Sequence, residues 1–242
     1  MGINNDDFKR AAIAAAAVCA AGFAQADTIE FDTNFGIALL GGAVVSDFDF
    51  GGGLTGSASA VGNNANSPDV ALVFDTTEMM SDDPDLQSPF TLVGSGGAVS
   101  RGFGNAIIVQ ENPASNGVFT PDDDGSGGVL SFVFDNLIEL GVLSLLDVRE
   151  NTSVTLFNDD VEIDQLFTAN ADTNNTTTPN LFTTVDFNNQ VGNRFVIDFN
   201  GRSGGLGEFE ATSIAPVPLP AAGWMLVAGI GGMMALRRRK KA

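Results

Sequence analysis

The sequence lacks several residue types on which common kinds of protein chemistry depend. Histidine and tyrosine are absent, and Cys19 is the only cysteine among 242 residues. Without histidine there is no Ser-His-Asp triad, no imidazole acid–base catalyst and no histidine-ligated zinc or iron. Because Cys19 lies in a segment that we expect to be removed, the mature protein has no disulfide and no thiol nucleophile. Stability must therefore come from packing or from a bound metal ion.

Basic residues are also scarce between the two ends of the chain. The formal net charge is −19, and residues 27–236 contain 28 acidic residues against four basic ones, a balance of −24. Nucleic-acid binding requires Lys and Arg to neutralise phosphates, so this composition predicts no nucleic-acid partner. Salt screens the self-repulsion of such a surface, so we expect solubility at high ionic strength. The four basic residues are Arg101, Arg149, Arg194 and Arg202.

The first 26 residues have the three parts of a secretory signal. Lys9 and Arg10 precede a short apolar run at 11–23, and an Ala-x-Ala site follows. The pattern predicts export and cleavage by signal peptidase between Ala26 and Asp27. The residues of the cleavage site are Ala24, Ala26 and Asp27.

The C-terminal segment reads as a short membrane helix with a basic end. Residues 221–236 are apolar, although at about 1.5 Å per residue such a helix is somewhat short for a hydrocarbon core of about 30 Å. A basic cluster beside a membrane helix stays in the cytoplasm, so the preceding body lies outside. The cluster that fixes this orientation is Arg237, Arg238, Arg239, Lys240 and Lys241.

A proline-containing motif stands directly before that helix. It consists of Val217, Pro218, Leu219, Pro220 and Ala221. Motif, helix and basic cluster together resemble the C-terminal sorting signals of exosortase-dependent proteins, in the variant with a VPLPA motif, over about residues 216–242. The resemblance implies recognition by an exosortase-type membrane transpeptidase, cleavage near the motif, and transfer to the cell envelope or extracellular matrix of a bacterium that makes exopolysaccharide. A plain anchor that stays uncut is the alternative.

The body between these ends reads as β-strands joined by polar loops. Its candidate strands are short, rich in Val, Ile, Phe and Thr, and bounded by turn-forming residues. We expect an all-β fold, an antiparallel β-sandwich or jelly roll, flanked by an N-terminal signal helix and a C-terminal transmembrane helix. The predicted organisation is signal peptide 1–26, acidic domain 27–214, and linker with sorting tail 215–242. The candidate strands are Thr28–Asp32, Ile37–Val45, Val70–Asp75, Asn105–Glu111, Val129–Asp135, Val142–Val148, Ser153–Asn158, Leu181–Phe187 and Arg194–Phe199.

Part of this body resembles an uncharacterised β-sandwich module of exported bacterial proteins. The residues that carry the resemblance are Pro68–Asp75, Asp83–Leu86, Gly104–Glu111 and Pro121–Phe134, in this order within about residues 28–214. The resemblance implies a fold but no activity.

Clustered aspartates make calcium the candidate cofactor. Asp122, Asp124 and Ser126 followed by Gly127 partly copy the spacing of a calcium loop, but Val133 stands at the twelfth position in place of Glu, which excludes an EF-hand. A looser site that recruits the acidic loop 82–85 stays open, as does a simple role of these residues in turns. The candidate ligands are Asp82, Asp83, Asp85, Asp122 and Asp124.

Three functions remain open for the body. We expect a non-catalytic structural or adhesive surface protein, with exopolysaccharide as a candidate partner. A calcium-dependent carbohydrate-binding module is the first alternative, although sugar sites usually present Trp or Tyr and this body has neither. A carboxylate-based hydrolase is the second, and 28 acidic residues make a fortuitous pair so easy that the signal has little specificity.

Overall fold

A computed structural model describes residues 27–31, 41–77, 86–95, 99–148, 151–168 and 180–214. These ranges contain no α-helix, and thus no helix long and apolar enough to cross a membrane. The predicted signal helix and membrane helix lie outside them. The described residues form twelve strands: β1 (Asp27–Glu30), β2 (Asp47–Asp49), β3 (Thr55–Gly62), β4 (Ala71–Asp75), β5 (Phe90–Leu92), β6 (Ser100–Arg101), β7 (Asn105–Val109), β8 (Gly128–Leu146), β9 (Ser153–Asn158), β10 (Val161–Phe167), β11 (Leu181–Asp198) and β12 (Gly205–Ser213).

The strands form one hydrogen-bonded sheet whose main path runs β10-β9-β11-β8-β12-β7-β4. All pairings are antiparallel except that of β5 with β11. Two long strands, β8 and β11, connect the parts of the sheet, because each pairs with different strands along its length. The first part of β8 pairs with β3, and its second part pairs with β12. The sheet therefore has two halves that share β8 and β11.

The two halves pack face to face, which confirms the predicted all-β, sandwich-like core. Phe209 of β12 is the register partner of Leu143, and Phe132 lies eleven residues earlier on β8. A straight strand would separate positions 132 and 143 by about 36 Å. Yet the rings of Phe132 and Phe209 have centroids only 6.0 Å apart. The sheet is therefore bent so that its halves enclose a common phenylalanine-rich core.

A second, smaller apolar cluster lies on the other face of one half. Phe103 contacts Phe90 and Phe182 in edge-on arrangements, with ring centroids 5.6 and 5.3 Å apart. Leu146, near the end of β8, belongs to the same cluster. The segment that contains β5 and β6 is thereby packed onto the sheet by apolar burial.

Several predicted boundaries differ from the structure. Residues 51–68 contain no predicted strand, but they include strand β3. The predicted strand Ile37–Val45 is described only from Gly41, where it forms a turn and an isolated bridge from Val44 to Leu72. Besides β3, the strands β2, β5, β6, β10 and β12 were not predicted, and four of the predicted strands are the two ends of β8 and of β11.

Candidate functional site

The two ends of the described domain meet at one edge of the sheet. Strands β1 and β12 run antiparallel, so that Asp27 lies opposite Ala211. The last described hydrogen bond is donated by Ile214 N to the carbonyl oxygen of Leu137, at 2.8 Å. Asp27, the predicted first residue of the mature chain, thus lies in a strand beside the strand that leads to the predicted sorting tail. Of the other predicted processing residues, Ala24, Ala26, the motif at 217–221 and the basic cluster at 237–241 lie outside the described residues.

A groove of about 360 Å³ opens at this same edge, between the start of β1, the end of β12 and the turn from β2 to β3. Small-molecule sites are typically about 300–1,000 Å³, so the groove is large enough for a small ligand. Its polar lining comes from Asp27, Thr28, Thr212 and Ser213, and its buried apolar lining comes from Ile29, Phe50 and Leu54.

Three consecutive glycines form the turn at the groove. Gly51, Gly52 and Gly53 have φ values of 79°, 59° and 86°, which glycine adopts far more readily than other residues. The turn is closed by a 2.9 Å hydrogen bond from Leu54 N to the carbonyl oxygen of Gly51. This tight reversal brings Phe50 and Leu54 together at the groove.

One buried side-chain oxygen of a residue at the groove has no hydrogen-bond partner among the described residues. The hydroxyl oxygen of Thr212 is inaccessible to solvent and makes no hydrogen bond in the described structure. A buried polar group that is left unpaired costs about 1–3 kcal/mol. Sequence reasoning gave no signal for this residue, because the groove is assembled from segments that are far apart in the chain.

The acidic turn at 122–124, which we predicted as part of a calcium site, is held by backbone hydrogen bonds. The carboxylate of the buried Asp124 accepts from Asn64 N and from Ser126 N, both at 2.9 Å. The carboxylate of Asp123 accepts from Gly204 N at 2.5 Å, and that of Asp122 accepts from Asn112 Nδ2 at 3.1 Å. These bonds tie the turn to three other segments of the chain, at Asn64, Asn112 and Gly204.

The remaining predicted calcium ligands cannot be placed. Asp82, Asp83 and Asp85 lie outside the described residues. Within the described ranges, no group of three or more His, Cys, Asp or Glu side chains is arranged to hold a metal ion. The looser calcium site stays a prediction.

An ion pair joins strand β6 to strand β12. Both terminal nitrogens of Arg101 contact the carboxylate of Glu208, with Nη1 donating to Oε1 at 2.5 Å. The Arg101 guanidinium also stacks over Phe103, 4.6 Å from the ring centroid. Ser144 Oγ donates to the same buried carboxylate at 2.8 Å. We interpret this set as a clamp that fixes the β5–β6 segment, since every group in it has a partner.

Comparisons with known proteins identify neither a family nor a function for the chain. No protein family matches the chain, and no curated protein matches it. Among solved structures it is similar to a fucose-binding module of Streptococcus pneumoniae, at 14% identity and a TM-score of 0.26, over 36% of this chain and 63% of that one. A second fucose-binding module, SpX-3 of the same organism, is similar at 16% identity and a TM-score of 0.26, over 37% of this chain and 67% of that one. The chain thus spans less than two thirds of the first module, and scores this low carry no argument about fold or ligand.

Proposed function

We propose that this protein is exported, held briefly in the inner membrane with its C-terminus in the cytoplasm, and then sorted to the cell envelope or released outside. The observation that carries the proposal is the ordered tail of VPLPA motif (Val217–Ala221), apolar segment and basic cluster. Its partners in processing are signal peptidase and an exosortase-type membrane transpeptidase. The delivered domain is a non-catalytic structural or adhesive β-sandwich.

The described strand pairings are compatible with this proposal. The pairing of β1 with β12 uses Asp27–Glu30, and Ile214 N donates to the carbonyl oxygen of Leu137. A cut after Ala26 and a cut near Val217–Ala221 would both leave these pairings intact.

Substitution within the motif tests the sorting step. In the producing bacterium, the double variant Pro218→Ala/Pro220→Ala is expected to keep residues 222–242 and to remain in the membrane fraction, while the wild-type chain loses them and leaves that fraction. Pro216→Ala, which changes the same residue type just outside the motif, is the matched control and should be processed normally. Equal processing of the double variant and the wild type would contradict the proposal.

A further inference from the structure

We propose that Asn116 is a site of spontaneous deamidation in the folded protein, where its side-chain amide becomes a carboxyl group. This inference concerns the ageing of the folded domain, and it goes beyond the proposed function because neither export nor sorting enters it. Asparagine followed by glycine reacts most readily, since glycine has no Cβ atom to hinder attack by its own backbone nitrogen. The dipeptide occurs twice in the chain, at Asn116-Gly117 and at Asn200-Gly201. The structure distinguishes the two sites.

The reaction uses only the backbone, the asparagine side chain and water. The nitrogen of Gly117 attacks Cγ of Asn116, and the bond from Cγ to Nδ2 breaks. Ammonia leaves with the proton that the backbone nitrogen gives up, and a five-membered succinimide remains. Water then opens one of the two C–N bonds of this ring, which yields either aspartate or isoaspartate.

The turn at Asn116 is exposed and lightly packed. Asn116 and Gly117 have φ values of 53° and 79°, as the two central residues of a tight hairpin turn do. Two hydrogen bonds between the backbones of Ser115 and Val118 close the turn, at 2.9 and 3.1 Å. All residues from 112 to 118 are exposed, and a Cβ atom at Gly117 would meet no described atom within 4 Å. Opening this turn therefore breaks two hydrogen bonds and little packing.

The turn at Asn200, by contrast, is packed against a second turn. Its φ values are similar, 48° at Asn200 and 76° at Gly201, so the backbone conformation does not separate the two sites. A Cβ atom at Gly127 would lie 2.7 Å from the nitrogen of Gly201, the atom that must attack. Asn200 N donates to the Asp198 carboxylate at 2.8 Å, and the preceding Phe199 is buried. Movement of Asn200 towards the attacking nitrogen disturbs these contacts, so this site reacts more slowly in the folded state.

Deamidation at Asn116 changes the tip of the loop but not its base. Isoaspartate adds one carbon atom to the main chain at this position, which is incompatible with the two hydrogen bonds that close the turn. The base is held separately, because the side-chain amide of the buried Gln110 donates to the carbonyl oxygens of Asn112 and Thr120, at 3.1 and 2.8 Å. We therefore expect the modified protein to keep its fold.

Incubation of the folded protein, extracted from the producing cells, in mildly alkaline buffer tests the inference. Cleavage after glutamate gives one peptide over 112–139 that carries Asn116 and another over 163–208 that carries Asn200. Tandem mass spectrometry reads the conversion at each asparagine, and chromatography separates the aspartate and isoaspartate products. We expect conversion at Asn116 to be roughly tenfold faster than at Asn200, because an exposed turn opens more often than a packed one. In guanidinium chloride, which removes the fold, the two rates should be similar.

Two matched variants assign the accompanying change of charge. Deamidation adds one negative charge, so a more acidic band should grow with time when the wild type is examined by isoelectric focusing. Asn116→Gln should suppress the growth of that band, because glutamine would have to form a less favourable six-membered ring. Asn200→Gln makes the same change at the packed turn and should leave the growth unaltered.

Three results would overturn the inference. The first is no conversion at Asn116 of the folded protein within the time that converts the denatured chain. The second is conversion at Asn200 as fast as at Asn116 in the folded protein. The third is a ratio of the two rates that is as large in denaturant as in the folded state. None of them bears on sorting, which is read separately from the mass of the mature chain.

Discussion

The ring of Phe195 lies 5.3 Å from the ring of Phe209, centroid to centroid, in an edge-on contact between the two halves of the sheet. Both side chains are fully buried. Phe209 also contacts Phe31, Phe50 and Phe134, at centroid distances of 6.1, 5.6 and 6.2 Å. The bent sheet is therefore closed around Phe209 rather than around any cross-link.

Truncation of Phe209 should destabilise the protein more than any surface change. We expect Phe209→Ala to lower the free energy of unfolding by about 3–5 kcal/mol, because it removes a fully buried ring and leaves a cavity. Phe209→Leu, which fills part of that space, should cost less. Val118→Ala is a control at a side chain that is 69% exposed, with an expected change within about 0.5 kcal/mol. Urea unfolding followed by circular dichroism measures all three, and equal midpoints would contradict this account of the core.

The clamp between Arg101 and Glu208 gives a second prediction. Arg101→Met should lower the free energy of unfolding by about 1–3 kcal/mol, because it leaves the buried Glu208 carboxylate with the Ser144 hydroxyl as its remaining hydrogen-bond donor among the described side chains. Arg202→Met, at an exposed arginine on a turn, is the matched control and should have little effect. Thermal unfolding of both variants at one salt concentration makes the comparison. A loss as large for Arg202→Met would show that net charge, and not the clamp, sets the effect.

The acidic turn gives a third prediction. Asp124→Ala should lower the free energy of unfolding by about 1–3 kcal/mol even in the presence of a chelator, because two backbone N–H groups lose their acceptor. Asp135→Ala is a control at an exposed aspartate that accepts one bond, from Thr55 Oγ1 at 2.6 Å. Melting curves in EDTA measure the difference. A variant as stable as the wild type under these conditions would refute the role in holding the turn.

Calcium itself is tested by its effect on the wild-type protein. We expect millimolar Ca²⁺ to raise the melting temperature, since a ligand at 100 times its dissociation constant stabilises the folded state by about 2.7 kcal/mol. Mg²⁺ at the same concentration controls for ionic strength, because its smaller coordination sphere suits flexible carboxylate sites less well. A melting temperature that calcium leaves unchanged would contradict the predicted site.

The sequence predicted strands well where apolar β-branched and aromatic residues dominate. The predicted strand Ser153–Asn158 is β9 without a shift of boundary, and Val70–Asp75 differs from β4 by one residue. The long strands β8 and β11 were each divided in two. The middle of β11, residues 188–193, is mostly polar, whereas that of β8, residues 136–141, mixes Leu and Ile with Asn, Glu and Gly. Shifts of register interrupt β11 at these places, between Asp186 and Gln190 and between Gly192 and Arg194.

Strand β3 was not predicted, because its composition, rich in Gly, Ser and Ala, is typical of a loop. Tertiary packing explains why these small residues occur in a strand. A Cβ atom at Gly56 would lie 2.0 Å from the carbonyl oxygen of Val133 and 2.8 Å from the ring of Phe48. Ala58 and Ala60 face the same phenylalanine-rich core. Strand β12 is similar, since a Cβ atom at Gly207 would lie 2.8 Å from the Phe103 ring. Contacts between distant segments decide these positions, and no local pattern reports them.

The groove could not be predicted from the sequence for the same reason. Its polar groups belong to residues at opposite ends of the domain, near Asp27 and near Thr212, and only the pairing of β1 with β12 brings them together. The proposed processing signals, by contrast, are linear motifs, which can be read from the sequence without a structure.

The intact mass of the protein recovered from producing cells tests the central claim most directly. The account predicts a chain that begins at Asp27 and ends near the motif at Val217–Ala221, without the apolar segment and the basic cluster that follow it. A chain that still carries Arg237–Lys241 would contradict sorting through this tail.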